Sequence, residues 1–361
     1  MNHLYVHVPF CDEICAYCDF FRVKKHDGLI AGWLQALEAE LAQYSYQYID
    51  TIYIGGGTPS SLSVAQLAQL LELLLPFGNH VKEYTIEANP ESCSLEKLLL
   101  CKEYGVNRIS LGVQTLDEKV LRLIHRRHTA ADVQTVIANI HKAGITNITI
   151  DMMYGLPYQD TAMWEAHLQE VTTWPIQHIS MYSLTIEEHS EFGRQHQSLI
   201  DNELEGELYE TGVAILEQAG FCQYEVSNFA KPGFASQHNL GYWNVEDYVG
   251  AGCGAHGSIG SIRYENTQRM DLYLQRQFRE KEERISVKER MFETIMLGLR
   301  KKQGIALTQF EARFHVQLEQ VYKDAIEANQ KEGLLVMEGG YLRTTPKGLV
   351  LLHSVLLAFM D

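Results

Sequence analysis

Paired cysteines, long apolar runs and an excess of basic residues are all missing from this sequence. Lys and Arg number 30 against 46 Asp and Glu, a net charge of −16 over 361 residues. That balance disfavours nonspecific nucleic-acid binding, which needs cations to neutralise phosphates. No apolar stretch reaches the roughly 20 residues of a bilayer-spanning helix. No basic segment followed by an apolar one opens the chain, so no secretory leader is expected. Seven cysteines, an odd number, argue against a disulfide framework and for a reducing, cytoplasmic compartment. Apolar residues at 46% and charged residues at 21% are ordinary for a globular protein. The length suffices for one large domain and a small one.

Three of the cysteines sit together. Cys11, Cys15 and Cys18 follow the apolar run Tyr5–Phe10 in a C-x3-C-x2-C spacing, whereas Cys93, Cys101, Cys222 and Cys253 lie far along the chain. Three thiolates hold three irons of a [4Fe–4S] cube and leave the fourth iron open to a small ligand. A structural zinc site takes four protein ligands instead. His7 and Asp19 are near enough in sequence to complete such a tetrahedron, so both metals stay open at this point.

Short apolar runs alternate with amphipathic ones through the first 185 residues. Strands are expected at Leu4–Val8, Thr51–Ile54, Tyr84–Glu87, Arg108–Val113, Asn147–Asp151 and His178–Leu184. Helices are expected at Leu29–Tyr46, Ser63–Leu75, Ser94–Glu103, Asp117–Ile124, Ala130–Ala143 and Ala162–Thr172. Ser63 and Thr129 start capping-box patterns, with Gln66 and Asp132 three residues on. Parallel strands need such crossovers, so the class is α/β. Candidate polar residues end the strands, which favours a partial (β/α)6 barrel for residues 1–185.

Residues 186–285 read as an irregular extension, with one helix at Glu203–Ala219. From 286 to 361 a C-terminal domain is expected. Helices at Val287–Leu299, Leu307–Phe314, Leu318–Asn329 and Thr345–Leu357 surround a hairpin turning at Gly339-Gly340. This is a winged-helix-like pattern. Ten Lys and Arg against nine Asp and Glu from Ser286 onward make DNA binding unexpected and docking the better reading.

Several motifs recur in a fixed order. Tyr17 precedes the third cysteine of the triplet. Gly55-Gly56-Gly57-Thr58-Pro59 follows a strand, where glycines allow close backbone approach. Glu87, Gln114, Arg126 and Asp151 lie at or after strand ends, carboxylates suiting hydroxyls and arginine suiting a carboxylate. His238-Asn239-Leu240-Gly241-Tyr242-Trp243 lies in the extension. In this order the motifs resemble the oxygen-independent coproporphyrinogen oxidase family of radical S-adenosylmethionine (SAM) proteins, and within it the HemW-type heme chaperones.

The resemblance implies a radical SAM barrel whose Cys11, Cys15 and Cys18 hold a [4Fe–4S] cluster, with SAM chelating the open iron. It implies SAM contacts from Tyr5, Tyr17, Gly56, Gly57, Thr58, Glu87, Gln114, Arg126 and Asp151, for one or two SAM molecules. One departure stands out: where the family has Leu-Gly-Arg-x-His, this chain has Ile124-His125-Arg126-Arg127-His128. The His-Asn-x-x-Tyr-Trp pattern implies heme, with His238 as iron ligand and His256 as its rival. The resemblance also implies transfer to acceptor hemoproteins such as membrane-bound respiratory enzymes, a bacterioferritin-like heme donor, a peripheral place at the inner membrane face, and dimers. The alternative is an oxygen-independent coproporphyrinogen III oxidase. That activity is not expected, because Phe20 stands where the oxidase has a further cysteine and only ten residues precede Cys11.

Overall fold

Strand alternation sorts the first half of the chain into an apolar outer face and a polar inner one. The computed structural model describes residues 2–44 and 48–360. Six parallel strands, β1 (His3–Val8), β2 (Thr51–Gly56), β3 (Glu83–Ala88), β4 (Arg108–Gln114), β5 (Asn147–Tyr154) and β6 (His178–Ser183), pair in sequence order. The crossovers carry α1 (Asp27–Leu41), α2 (Val64–Leu74), α3 (Leu95–Glu103), α4 (Glu118–Leu123), α5 (Ala130–Lys142) and α6 (Thr161–Thr172). Ser63 and Thr129 close the expected capping boxes on α2 and α5. The expected first helix reached Tyr46; α1 ends at Leu41, and Ser45 and Tyr46 lie outside the described residues.

Outward residues such as Val6, Ile54, Leu111, Ile150 and Ile179 share one buried core with Trp33, Leu71, Ile137 and Trp164 of the helices. Burying such side chains is worth roughly 1.5–3 kcal/mol each. β5 runs three residues past its expected end, so Asp151 projects from mid-strand rather than from a strand terminus.

The stretch expected to be irregular instead extends the sheet at both edges. After α7 (Asn202–Gln218) come β7 (Cys222–Glu225) and β8 (Asn228–Ala230); β8 pairs antiparallel with β6, and β7 antiparallel with β8. Helix α8 (Gln237–Trp243) follows, and then β9 (Tyr248–Ala251) pairs parallel with β1. Beyond it come β10 (His256–Ile259), β11 (Ile262–Asn266) and β12 (Arg279–Arg284), all antiparallel. Among the described residues the sheet has the order β12-β11-β10-β9-β1-β2-β3-β4-β5-β6-β8-β7. These added strands span three to six residues, and β12 reads Arg-Glu-Lys-Glu-Glu-Arg. A charged edge strand carries no hydrophobic alternation to detect.

The C-terminal part builds its own core. Ile295 of α9 (Val287–Gly298), Phe310 of α10 (Leu307–Phe314) and Ile326 of α11 (Lys323–Lys331) pack with Leu335 of β14 (Leu335–Glu338) and Leu342 of β15 (Tyr341–Thr344). β15 also pairs with β13 (Ile305–Ala306), and Gly339 and Gly340 turn the hairpin at φ +60° and +83°. The last two expected helices are each broken, at Tyr322 and at Leu351. No helix of the described residues is long and apolar enough to cross a membrane.

One buried carboxylate fastens the sheet extension to the barrel. Glu40 of α1 is fully buried and accepts from the Gly252 amide (2.8 Å), the Tyr273 hydroxyl (2.7 Å), the Asn266 amide (2.7 Å) and Arg279 (3.3 Å). Removing it leaves the buried Gly252 and Tyr273 donors without their acceptor. Glu40→Ala is expected to cost about 3–5 kcal/mol, read as a lower urea midpoint, with secondary structure retained in the folded baseline.

Candidate functional site

The inner face of the barrel surrounds a cavity of about 580 Å³. Because side chains alternate along a strand, Arg108, Ser110, Gly112 and Gln114 of β4 all point into it. Tyr53, Glu87, Asp151, Met153, Ser180 and Tyr182 join them from neighbouring strands. The cysteine loop closes the end where the strands finish. Cys11, Cys15, Cys18 and Tyr17 line the cavity there, with Phe20 68% exposed beside them.

The thiols are free and have a polar setting. Thr58 Oγ1 lies 3.5 Å from Cys11 Sγ, and Arg126 Nη1 lies 3.9 Å from Cys15 Sγ. Burial pushes the Cys11 thiol up to about 11, against the Thr58 bond. A metal that needs thiolates must therefore displace protons on binding. Among the described residues, no three His, Cys, Asp or Glu side chains gather round a single ion position. His7 is also spoken for. Its Nδ1 pairs with the Tyr5 hydroxyl (2.9 Å) and its Nε2 with the Phe21 carbonyl (2.8 Å). Burial lowers it to about 4. The donor set thus suits a multi-iron cube, whose three thiolates bind separate corners, better than a zinc tetrahedron.

Arg126 is positioned by a turn that the sequence made doubtful. His125 occupies the glycine position of the family motif and takes φ +63°. Its Nδ1 pairs with the Ile14 carbonyl at 3.1 Å, tying the turn to the cysteine loop. Arg126 also donates to the Gly112 carbonyl. A Cβ on Gly112 would stand 2.7 Å from Arg126 Nη2, so the missing side chain makes room for the guanidinium. Gln114 sits at φ +69° after a register shift in β4. Left-handed backbone at a non-glycine residue of a cavity wall is strain held by its surroundings.

The glycine run has a tighter cause than ligand approach alone. A Cβ on Gly55 would meet the Glu87 carboxylate at 2.8 Å, and one on Gly56, at φ +108°, the His7 ring at 2.5 Å. At Gly57 it would meet the Val8 carbonyl at 2.8 Å and Cys11 Sγ at 3.0 Å. The protein itself fills the space, so the glycines set the packing of the cysteine loop as well as the cavity wall.

Glu87 and Asp151 line the cavity with few donors. Glu87 accepts from the Tyr53 hydroxyl (2.8 Å) and the Gly56 amide (3.1 Å). Ser110 Oγ is 3.5 Å from Asp151. Burial pushes Glu87 up to about 7 and Asp151 up to about 6, and Asp151 raises Glu87 further. Ionised, the two carboxylates accept from hydroxyls; protonated, they lose that grip.

Two expected contacts fall outside the cavity lining. Tyr5 lies behind Tyr53, ring centroids 6.2 Å apart, with its hydroxyl committed to His7. His238 is the other. It is 1% exposed at the floor of the barrel, where the strands begin. Its Nδ1 pairs with Thr51 Oγ1 (2.6 Å), its Nε2 with the Tyr242 hydroxyl (2.8 Å), and its ring stacks on Tyr53 at 5.1 Å. Neither nitrogen is free for iron in this conformation. His256, by contrast, is exposed. Arg108 and Asn239 line the cavity although neither was expected to. The period-two step back from Gln114 through Gly112 and Ser110 is the signal that reaches Arg108.

Comparison with known proteins gives two family-model matches, the radical SAM superfamily over residues 5–171 and the HemN C-terminal domain over residues 285–351. The heme chaperone HemW of Lactococcus lactis subsp. lactis is 38% identical over 368 residues, covering 99% of this chain and 97% of that protein. The heme chaperone HemW of Bacillus subtilis is 36% identical over 378 residues, covering 100% and 99%. Among solved structures, the coproporphyrinogen III oxidase HemN of Escherichia coli, described as a radical SAM enzyme, superposes with a TM-score of 0.87. It is 21% identical and matches 99% of this chain and 90% of that one, a likeness of fold.

The geometry makes two predictions. Glu87 folds with a pKa of about 7, above the roughly 4.3 of an unfolded chain. Its ionisation therefore works against folding as pH rises from about 4.3 to 7, and the penalty is constant above that. Glu87→Gln should raise the unfolding midpoint of the ligand-free protein at pH 8 while weakening SAM binding, and wild-type SAM affinity should fall as pH drops from 8 to 6. For the floor, His238→Ala should lower stability by about 2–4 kcal/mol through a cavity and two stranded partners, measured by thermal unfolding.

Proposed function

The chain belongs to the family of HemW heme chaperones within the radical SAM superfamily, and we propose that it binds heme and hands it to acceptor hemoproteins while carrying a SAM-ligated [4Fe–4S] cluster. The full-length likeness to the named heme chaperones carries this reading. The arrangement of Cys11, Cys15 and Cys18 around one cavity with Arg126 supports the cluster. When bound, such a cluster supplies an open iron for SAM and one electron at low potential.

The chain's own residues do the rest. Arg126, beside Cys15, faces the end where a carboxylate would lie, and the Gly56–Thr58 turn walls that end. Glu87 and Asp151, on the cavity wall, would accept from ribose hydroxyls. Gln114 offers an amide on the same cavity wall. Phe20, exposed at the cysteine end, gives the apolar surface that a macrocycle prefers to water.

The second reading is coproporphyrinogen III oxidase, favoured by the fold likeness to HemN. Phe20 in the oxidase's cysteine position opposes it. After anaerobic reconstitution, about four irons and four sulfides per chain are expected, as a cube requires, and heme should give a shifted Soret band saturating near one equivalent. Cys15→Ser should lose the cluster chromophore. Absence of any Soret shift sinks the chaperone reading. Turnover of coproporphyrinogen III with SAM and reductant replaces it with the oxidase.

A further inference from the structure

The SAM chemistry occupies the cysteine end of the cavity, and the floor carries groups that it does not use. Arg108, the first residue of β4, lines the cavity and is only 1% exposed. Among the described residues its one side-chain hydrogen bond is long, Nη1 to Thr85 Oγ1 at 3.5 Å, and its Nε has no partner. An enclosed guanidinium with so few partners is costly, and an anion that reaches it gains accordingly.

Among the described residues no carboxylate pairs with Arg108. Glu87 and Asp151 feel its charge, but Glu87 accepts from Tyr53 and Gly56 and Asp151 from Ser110. His178 is held well below its usual range by burial and then Arg108, and His238 by burial, then His3, then Arg108, so both stay neutral. Tyr53 and Tyr224 are phenols raised by burial and bring no charge.

Asn239 faces the same cavity from α8. Its backbone amide is capped by Ser236 Oγ at 3.3 Å, and its side-chain amide makes no hydrogen bond with the described residues. The helix that carries it is fixed in place. Glu83 accepts from Ser236 Oγ (3.2 Å), the Gln237 amide (2.9 Å) and the His238 amide (3.0 Å), and His238 is pinned to Thr51. A donor held this way loses little entropy on binding.

We propose that Arg108 and Asn239 form a carboxylate-binding subsite at the floor of the cavity. Two sources offer that chemistry, a propionate of the tetrapyrrole and the amino-acid end of a second SAM molecule, the first having its carboxylate at Arg126. Naming the propionate rests on the heme-chaperone reading; the subsite itself does not.

The test pairs each ligand with a version lacking the carboxylate charge. Dissociation constants are measured for heme and heme dimethyl ester, and for SAM and decarboxylated SAM, on the reconstituted wild type, Arg108→Gln and Asn239→Ala. In at least one pair the wild type should prefer the carboxylate by about tenfold. That preference should collapse towards unity in Arg108→Gln and shrink in Asn239→Ala. A loss confined to the heme pair assigns the propionate, and one confined to the SAM pair assigns the amino-acid end. Preferences that match the wild type in both variants, for both pairs, would falsify the subsite. A wild type that binds no heme overturns the chaperone reading and leaves the SAM pair to decide the subsite. Should Arg108→Gln fail to fold, Asn239→Ala, a truncation at a partly exposed position, decides alone.

Discussion

The polar inner face of a sheet that does not close is the constraint on which the rest of this structure depends. In a barrel packed by branched apolar side chains the interior is a core. Here the alternation that sends Ile109, Leu111 and Val113 outward sends Arg108, Ser110, Gly112 and Gln114 inward. Buried polar groups need partners, so every inward residue either pairs with another or waits for a ligand. The pairs are visible in Tyr53 with Glu87 and Tyr5 with His7. Arg108 Nε, Arg126 Nε and Thr149 Oγ1 have none among the described residues. The interior is thus organised as a receptacle, and its raised carboxylates are a consequence of enclosure rather than an added feature.

A receptacle open at both ends would flood, and the chain closes each end with a separate segment. At the strand C-termini the cysteine loop does so, held by His125 to Ile14 and by Gly57 against Cys11. At the strand N-termini α8 is the stopper. Gly241 sits over His3 so closely that a Cβ would lie 2.3 Å from its Nε2. Seen from the floor, the His-Asn-x-x-Tyr-Trp pattern divides its labour. His238 fastens, Asn239 faces the cavity, and Trp243 turns away from it towards Arg300, 4.7 Å from its ring.

Where hydrophobic period and caps speak, the sequence was a good guide. All six parallel strands and their helices lie within a few residues of expectation, because Val, Ile and Leu at alternate positions leave little choice of register. The cysteine triplet, Glu87, Gln114, Arg126 and Asp151 converge on one cavity for the same reason. Three things escaped. The added strands were short, and the edge strand β12 is charged throughout. Tyr5 and His238 were named by motif, and a motif does not say which end of a barrel a residue occupies or whether its polar atoms are already engaged. Arg108 was passed over because a lone arginine starting an apolar strand has no local signature. Only its place in the same inward column as Gln114 marks it.

The position of α8 gives the C-terminal domain a physical connection to the cavity. Arg313 donates to the Asn244 carbonyl at 3.1 Å, Lys301 bonds the Asn244 side chain, and Arg300 stacks on Trp243. All three act on the last turn of the helix whose first turn presents Asn239. Seven residues of α-helix span only about 10 Å, and a helix is stiff over that length. A displacement of the C-terminal domain therefore cannot be absorbed within α8. Where the contacts to Asn244 and Trp243 hold, it either breaks the Glu83 cap and the Thr51–His238 bond or moves Asn239 with it. The fold in this way ties the floor of the cavity to a domain that contributes none of the described lining residues.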